Sequence, residues 1–273
     1  MTEPHTATSD PVWTEYLDAA LPIARDAGDM LADNLSGHRS VELKGAINLV
    51  TEMDRRSEEL IVERLSRAFP DFTIVAEEGS ERTKENSPIW YVDPLDGTTN
   101  YAHGLPLFCV TLGLVSQNTL ICGIVYHPMG DEMFTAVRHR GAFLGEQRLR
   151  VSDTQELTNA VLATGFPYDI RKSDIDNLDH FGRFAKRARA IRRMGAAALD
   201  LAWTAAGRFD GFWEMKLSPW DCAAGALMCQ EAGAIVTDMA GNRFDPVKGQ
   251  AIAANPTLHP QLQEVVAQGR FPQ

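Results

Sequence analysis

Along residues 12–35 the apolar positions recur at helical spacing. Trp13, Tyr16, Leu17, Ala20, Ala24, Ala27 and Leu31 fall on one side of a long amphipathic helix that Pro22 should bend. Leu60, Ile61, Leu65 and Ala68 repeat that spacing in a second helix over 54–68, opened by Asp54. The rhythm then shortens. Residues 72–75 and 89–92 are compact apolar runs, and 107–115, 120–127 and 132–137 read as consecutive strands whose brief connectors suit an antiparallel meander. After about residue 150 helices and strands alternate. Strands are expected at 161–164, 211–213 and 234–238, and helices at 175–188, 196–206 and 222–232. This pattern predicts a mixed α/β protein: a single domain over 1–273 with two intimately joined subdomains, 1–150 and 151–273.

The run Trp90-Tyr91-Val92-Asp93-Pro94-Leu95-Asp96-Gly97-Thr98-Thr99-Asn100 carries the most chemistry. A strand ends in two carboxylates, and small residues bearing hydroxyls and free backbone N–H groups follow. Carboxylates at a strand end can hold a hard cation such as Mg²⁺, which takes oxygen ligands and keeps some of its water. A Gly-Thr-Thr backbone can approach a phosphate closely. Asp-Pro and Asp-Gly are also common turn signals, so other carboxylates must decide between the two readings. Glu77 and Glu78 follow the 72–75 strand, Asp221 precedes a helix, and Asp54 opens another. An Asp before a helix can be a simple N-cap. All four places nonetheless lie at element ends, where binding residues are commonly mounted.

Composition narrows the options. Acidic residues outnumber basic ones 37 to 26, for a net charge of −11, which argues against a global polyanion binder. An acidic protein that handles phosphate needs metal to offset repulsion. The polar start lacks the basic and apolar regions of a secretory signal, and no apolar run reaches the ~20 residues of a membrane span. Cys109, Cys122, Cys222 and Cys229 lack CxxC spacing and read as buried thiols in a reducing cytoplasm.

Four segments in register resemble the inositol monophosphatase family, and together they cover nearly the whole chain. Asp93 to Asn100 is similar to its DPxDGTxN signature, and Trp220-Asp221-Cys222-Ala223-Ala224-Gly225 to its WDxAAG signature. Ala76-Glu77-Glu78-Gly79 resembles its GEES segment, with Ala and Gly where the family usually has Gly and Ser. Leu49-Val50-Thr51-Glu52-Met53-Asp54 resembles LVTxxD. The resemblance implies a layered αβαβα sandwich and usually a homodimer. It also implies two to three Mg²⁺ ions held by Glu77, Asp93, Asp96, Asp221 and the Leu95 carbonyl. Thr98 and Asp54 would orient and activate the attacking water, and the backbone of Gly97 and Thr98 would meet the phosphate. Lys44 matches a family lysine that could help neutralise the site. Inhibition by lithium and by calcium would follow.

Glu214, with the backbone of Gly195 and Ala197, matches the positions that line the family's inositol pocket. The expected activity is therefore cytoplasmic hydrolysis of a small phosphate ester, myo-inositol monophosphate before histidinol phosphate. A reading of another class rests on Lys186-Arg187-Ala188-Arg189 and Arg192-Arg193. This basic cluster reads first as a solvated helix face leading into a loop. It could instead contact nucleic acid or RNA polymerase, since the family's bacterial members include one active in antitermination complexes.

Overall fold

The computed structural model describes residues 11–35, 41–43 and 49–272. The polar N-terminal stretch over 1–10 and Lys44, both noted in the sequence, lie outside them.

The first half builds one large sheet with two helices on its outer face. Helix α1 (Pro11–Asp33) runs continuously through Pro22. A ribbon of β1 (Val41–Leu43) and β2 (Leu49–Thr51) leads into α2 (Glu52–Ala68), which places Asp54 within its first turn rather than before it. Acidic groups are favoured at that end of a helix. Ile61 and Leu65 are fully buried on α2, and each such side chain contributes about 2 kcal/mol by leaving water. Then follow β3 (Thr73–Ala76), β4 (Glu81–Arg82), β5 (Ile89–Asp96), the short helix α3 (Thr98–Ala102), β6 (Cys109–Ser116), β7 (Thr119–His127), β8 (Glu132–Val137), β9 (Gly141–Leu144) and β10 (Gln147–Arg148). Their order in the sheet is β10-β9-β8-β7-β6-β5-β3-β4, antiparallel except where β3 runs parallel to β5. The expected meander from β6 to β8 is present.

The second half adds β11 (Val161–Thr164), α4 (Leu178–Ala185), β12 (Ala190–Arg192), α5 (Ala197–Ala205), β13 (Gly211–Met215), α6 (Pro219–Glu231), β14 (Ile235–Thr237), β15 (Gln250–Ala254) and α7 (His259–Val266). The five strands order as β12-β11-β13-β15-β14. Helix α4 is shorter than the 175–188 read from sequence, because Asn177 takes a left-handed conformation before it and the chain turns over 186–189 before β12. Asp221 lies inside α6, not ahead of it. Ser218 is the N-cap, Pro219 fills the first helical position, and the Ser218 N–H donates to Asp221 Oδ2 at 2.7 Å.

Three apolar clusters separate the layers. One fills the space between α1/α2 and the large sheet, the second surrounds α5 and α6 between the two sheets, and the third lies between the small sheet and α4/α7. The result is α1/α2, large sheet, α5/α6, small sheet, α4/α7: the αβαβα layering. In the middle layer α6 comes close to the large sheet because Gly113 of β6 and Gly123 of β7 face each other across the ladder. A Cβ on Gly113 would lie 2.9 Å from the Ala223 methyl, and one on Gly123 2.8 Å from the Ala224 Cα.

Candidate active site

Strand β5 does not end at Val92 but continues to Asp96. Pro94 has no N–H for the ladder, and strand prolines therefore sit at edges or bulges. The β5–β6 pairing accordingly passes from Asp93 opposite Thr111 to Asp96 opposite Cys109, with one extra residue on β5. The bulge brings both Asp93 and Asp96 to one pocket. Gly97 then turns the chain into α3 with φ +97°, and a Cβ there would meet the Leu107 carbonyl oxygen at 2.9 Å. Only glycine suits that position.

The pocket brings Glu77, Asp93, Leu95, Asp96, Gly97, Thr98, Gly195, Ala197, Glu214 and Asp221 onto one lining. Asp54 stays behind it, buried at the back of Thr98, and Glu78 lies off the lining with its N–H on Glu58. The Thr98 hydroxyl has Asp54 Oδ1 at 3.0 Å as an acceptor, with the Leu95 carbonyl 3.1 Å away as the alternative. Asp93 Oδ1 accepts from the Leu95 N–H at 3.0 Å. Asp96 Oδ2 receives the Ala198 N–H at 2.8 Å and the Cys109 thiol at 3.6 Å, which seats the start of α5 on the carboxylate. Asn100 ties the same region together, donating to the Leu107 and Met194 carbonyls at 2.7 and 2.8 Å.

Burial and mutual repulsion raise the pKa values of these groups. Desolvation raises Asp93, with Glu77, Asp96 and Asp221 adding repulsion. Asp221 is raised by burial, then by Glu77 and Asp96. Asp96 is pushed up to about 6 by burial, against the hydrogen bonds it accepts. Glu214 is pushed up to about 8, by burial first and Asp96 second, with Arg193 pulling the other way. Of the cations on the lining, Lys216 is already engaged by Asp169 and Ser173. Among the described residues no three His, Cys, Asp or Glu side chains close into a metal cage as they stand. The donor set nevertheless suits a hard cation: all-oxygen carboxylates, mutually repelling, around one open pocket.

Sequence reasoning did not assign Arg193, Asn100 or Asp200 to the site. Arg193 was grouped with the basic run, yet it lines the pocket, while Lys186 follows α4 and Arg192 ends β12. The cluster is thus split between a helix end, an edge strand and the pocket. Asp200 lines the pocket from the first turn of α5, 1% exposed, and its Oδ1 has no hydrogen-bond partner. Burial, then Glu214, raises it well above the ordinary carboxylate range. No local signal marks Asp200, because a helical Asp becomes unusual only once its surroundings are known. The four cysteines are free and buried. Among the described residues no helix is long and apolar enough to cross a membrane.

The layered fold carries a carboxylate-lined pocket at a bulged strand end. The chain belongs to the inositol monophosphatase family, matching it over residues 12–270. It is 45% identical over 248 residues to Nus factor SuhB of Pseudomonas aeruginosa, covering 88% of this chain and 91% of that one. It is 40% identical over 250 residues to the inositol-1-monophosphatase of Caulobacter vibrioides, covering 90% and 95%. The crystal structure of the extragenic suppressor protein suhB from Bartonella henselae superposes with a TM-score of 0.87 at 39% identity, covering 94% and 100%. Family membership supports phosphatase chemistry.

Proposed function

We propose that this protein is a Mg²⁺-dependent phosphomonoesterase that releases phosphate from a small hydroxyl-rich alcohol, myo-inositol monophosphate before other esters. The observation that carries the reading is the buried Thr98–Asp54 hydrogen bond beside Asp93, Asp96, Asp221 and Glu77 on one pocket. On this reading Glu77, Asp93, Asp96, Asp221 and the Leu95 carbonyl hold two to three ions. Bound Mg²⁺ supplies positive charge against the phosphate oxygens and makes water more acidic at neutral pH.

The chain's own groups do the rest. Thr98 donates its hydroxyl hydrogen bond to Asp54, which leaves its oxygen lone pairs to accept one from the attacking water and align it on phosphorus. Backbone N–H groups of Gly97 and Thr98 meet the phosphate oxygens. Water adds to phosphorus as the ester P–O bond breaks; its OH stays on phosphorus and its other proton passes to the leaving oxygen, releasing hydrogen phosphate and the alcohol. Glu214, beside Gly195 and Ala197, accepts hydrogen bonds from the hydroxyls of that alcohol.

The test is phosphate release by purified protein with Mg²⁺ from myo-inositol 1-phosphate, L-histidinol phosphate, fructose 1,6-bisphosphate and 3′-phosphoadenosine 5′-phosphate, each with and without lithium. A lithium-sensitive preference in kcat/KM for the inositol ester supports the whole reading. A preference for histidinol phosphate keeps the metal site and reassigns Glu214 to an amine. A second reading is favoured by the Nus factor name of the Pseudomonas aeruginosa relative: a contact with RNA polymerase or RNA alongside catalysis. Lys186, Arg187, Arg189 and Arg192 would carry it. Retention of purified polymerase by the wild-type protein, lost when these four become Ala, would support this contact; equal retention would sink it.

A further inference from the structure

Helix α2 touches the pocket's supporting segments at three consecutive points on one face. Asp54, Ser57 and Glu58 stand at i, i+3 and i+4, the spacing that aligns side chains along a helix. Asp54 accepts from Thr98, and the Ser57 hydroxyl donates to the Pro94 carbonyl at 2.8 Å, within the β5 bulge. Glu58 reaches a third segment, the turn between β3 and β4 that carries Glu77. Its Oε2 accepts the Glu78 N–H at 2.7 Å and its Oε1 the Ser80 N–H at 2.9 Å. The carboxylate is only 3% exposed. The opposite side of the turn is fixed to the sheet, since the Glu77 N–H donates to the Val92 carbonyl at 3.2 Å. The Ala76 N–H also closes the turn on the Ser80 carbonyl at 3.1 Å. Glu77 is thus held from β5 on one side and from α2 on the other.

We infer that Glu58 is a positioning residue that sets the pocket's affinity for divalent metal by gripping the Glu77 turn with both carboxylate oxygens. The inference rests on the reading of Glu77 as a metal ligand. The residue meets no substrate and no reacting atom. Its effect is preorganisation: a ligand on a loosened turn must be ordered at the moment of binding, and that ordering weakens affinity. The two N–H groups require two acceptor oxygens. Glutamine offers one oxygen and sets an NH₂ against the remaining N–H, so it is a sharp probe of nearly unchanged size.

Metal binding to full-length wild-type protein, Glu58→Gln, Glu58→Ala and the exposed control Glu59→Gln would be measured by titration calorimetry with MgCl₂. Mg²⁺ dependence of phosphate release would be measured beside it. The expected result is a Mg²⁺ dissociation constant raised about tenfold or more in Glu58→Gln and further in Glu58→Ala, the range seen when groups supporting a metal ligand are removed. Saturating Mg²⁺ should return kcat and the substrate KM to within about twofold of wild type, because no substrate contact is lost. Glu59→Gln should match wild type. Should Glu58→Ala not fold, Glu58→Gln carries the test. Mg²⁺ affinity unchanged in folded Glu58→Gln, with only the Tm lowered, overturns the inference and leaves Glu58 a stabilising residue. Wild-type protein that neither binds Mg²⁺ nor releases phosphate overturns the metal-site reading beneath it, and this inference with it.

Discussion

The wall of the pocket that carries Asp93, Asp96 and Thr98 comes from six consecutive residues of one strand end. The facing wall is gathered from β13, the loop before α5, and α5 itself. The first wall is dense with short-range bonds: Asp93 to the Leu95 N–H, Thr98 beside the Leu95 carbonyl, and Pro94 forcing the bulge. The second is held at long range, by Asn100 bonding the Met194 carbonyl and by the Ala198 N–H on Asp96. The proposed chemistry divides the same way. Residues 93–98, joined from elsewhere in the chain by Asp54, Glu77 and Asp221, would serve every phosphate ester, and groups that meet a particular alcohol belong to the assembled wall. A pocket built like this can keep its reaction while its substrate changes.

Substitutions can break or sharpen that division. Asp93→Asn or Asp221→Asn should lower kcat on every ester by about 10³-fold or more, since each removes a proposed ligand and its charge. The metal-free Tm should hold or rise as repulsion falls, and normal turnover in either variant would end the metal assignment. Thr98→Ala should lower kcat by about 10²-fold while KM changes little, the signature of a group that orients water rather than substrate. Glu214→Gln should raise KM for the inositol ester by about tenfold and leave p-nitrophenyl phosphate nearly unchanged. Equal losses on both esters would erase the distinction between the walls.

The smallest effect is on stability. The folded Glu214 carboxyl titrates near 8 against an ordinary 4.5, so the native state holds a proton that the unfolded chain releases first. Its contribution is fully present below pH 4.5 and is lost as pH rises through 8. Metal-free wild-type protein should therefore lose stability between those limits. Glu214→Gln should flatten that fall by an amount on the order of a few kcal/mol, read from urea unfolding at pH 5 and pH 8.5. Parallel curves would show that Glu214 is not a buried acid.

The same contrast explains what could be read from the chain. The local wall was legible because its chemistry is contiguous: apolar strand, two carboxylates, glycine, hydroxyls. Asp54, Glu77 and Asp221 lie far away in sequence and were marked only by their places at element ends; the family resemblance gave them roles and added Glu214. Arg193, Asp200, Asn100 and Glu58 stayed hidden because their roles are defined by partners in other elements. Strand β15 was missed for a related reason. Gln250-Ala251-Ile252-Ala253-Ala254 is buried throughout and rich in alanine, so it shows no alternation and only one β-branched residue, Ile252. Helix α4 was overextended because helical periodicity carried on past Ala185 into the turn over 186–189 that leads to β12.

The facing glycines under α6 act as a spacer of zero thickness. They let the helix that bears Asp221 rest on β6, the strand paired with the Asp93 and Asp96 bulge, so the gap across the pocket is set by two residues outside its lining. A methyl at 113 would collide with the Ala223 methyl and, at 3.1 Å, the Ala224 backbone nitrogen, leaving the helix to yield. Tolerance for error in the carboxylate pocket is therefore machined at a distance, and on the proposed reading a change there would surface as a loosened grip on metal in a pocket whose every residue is intact.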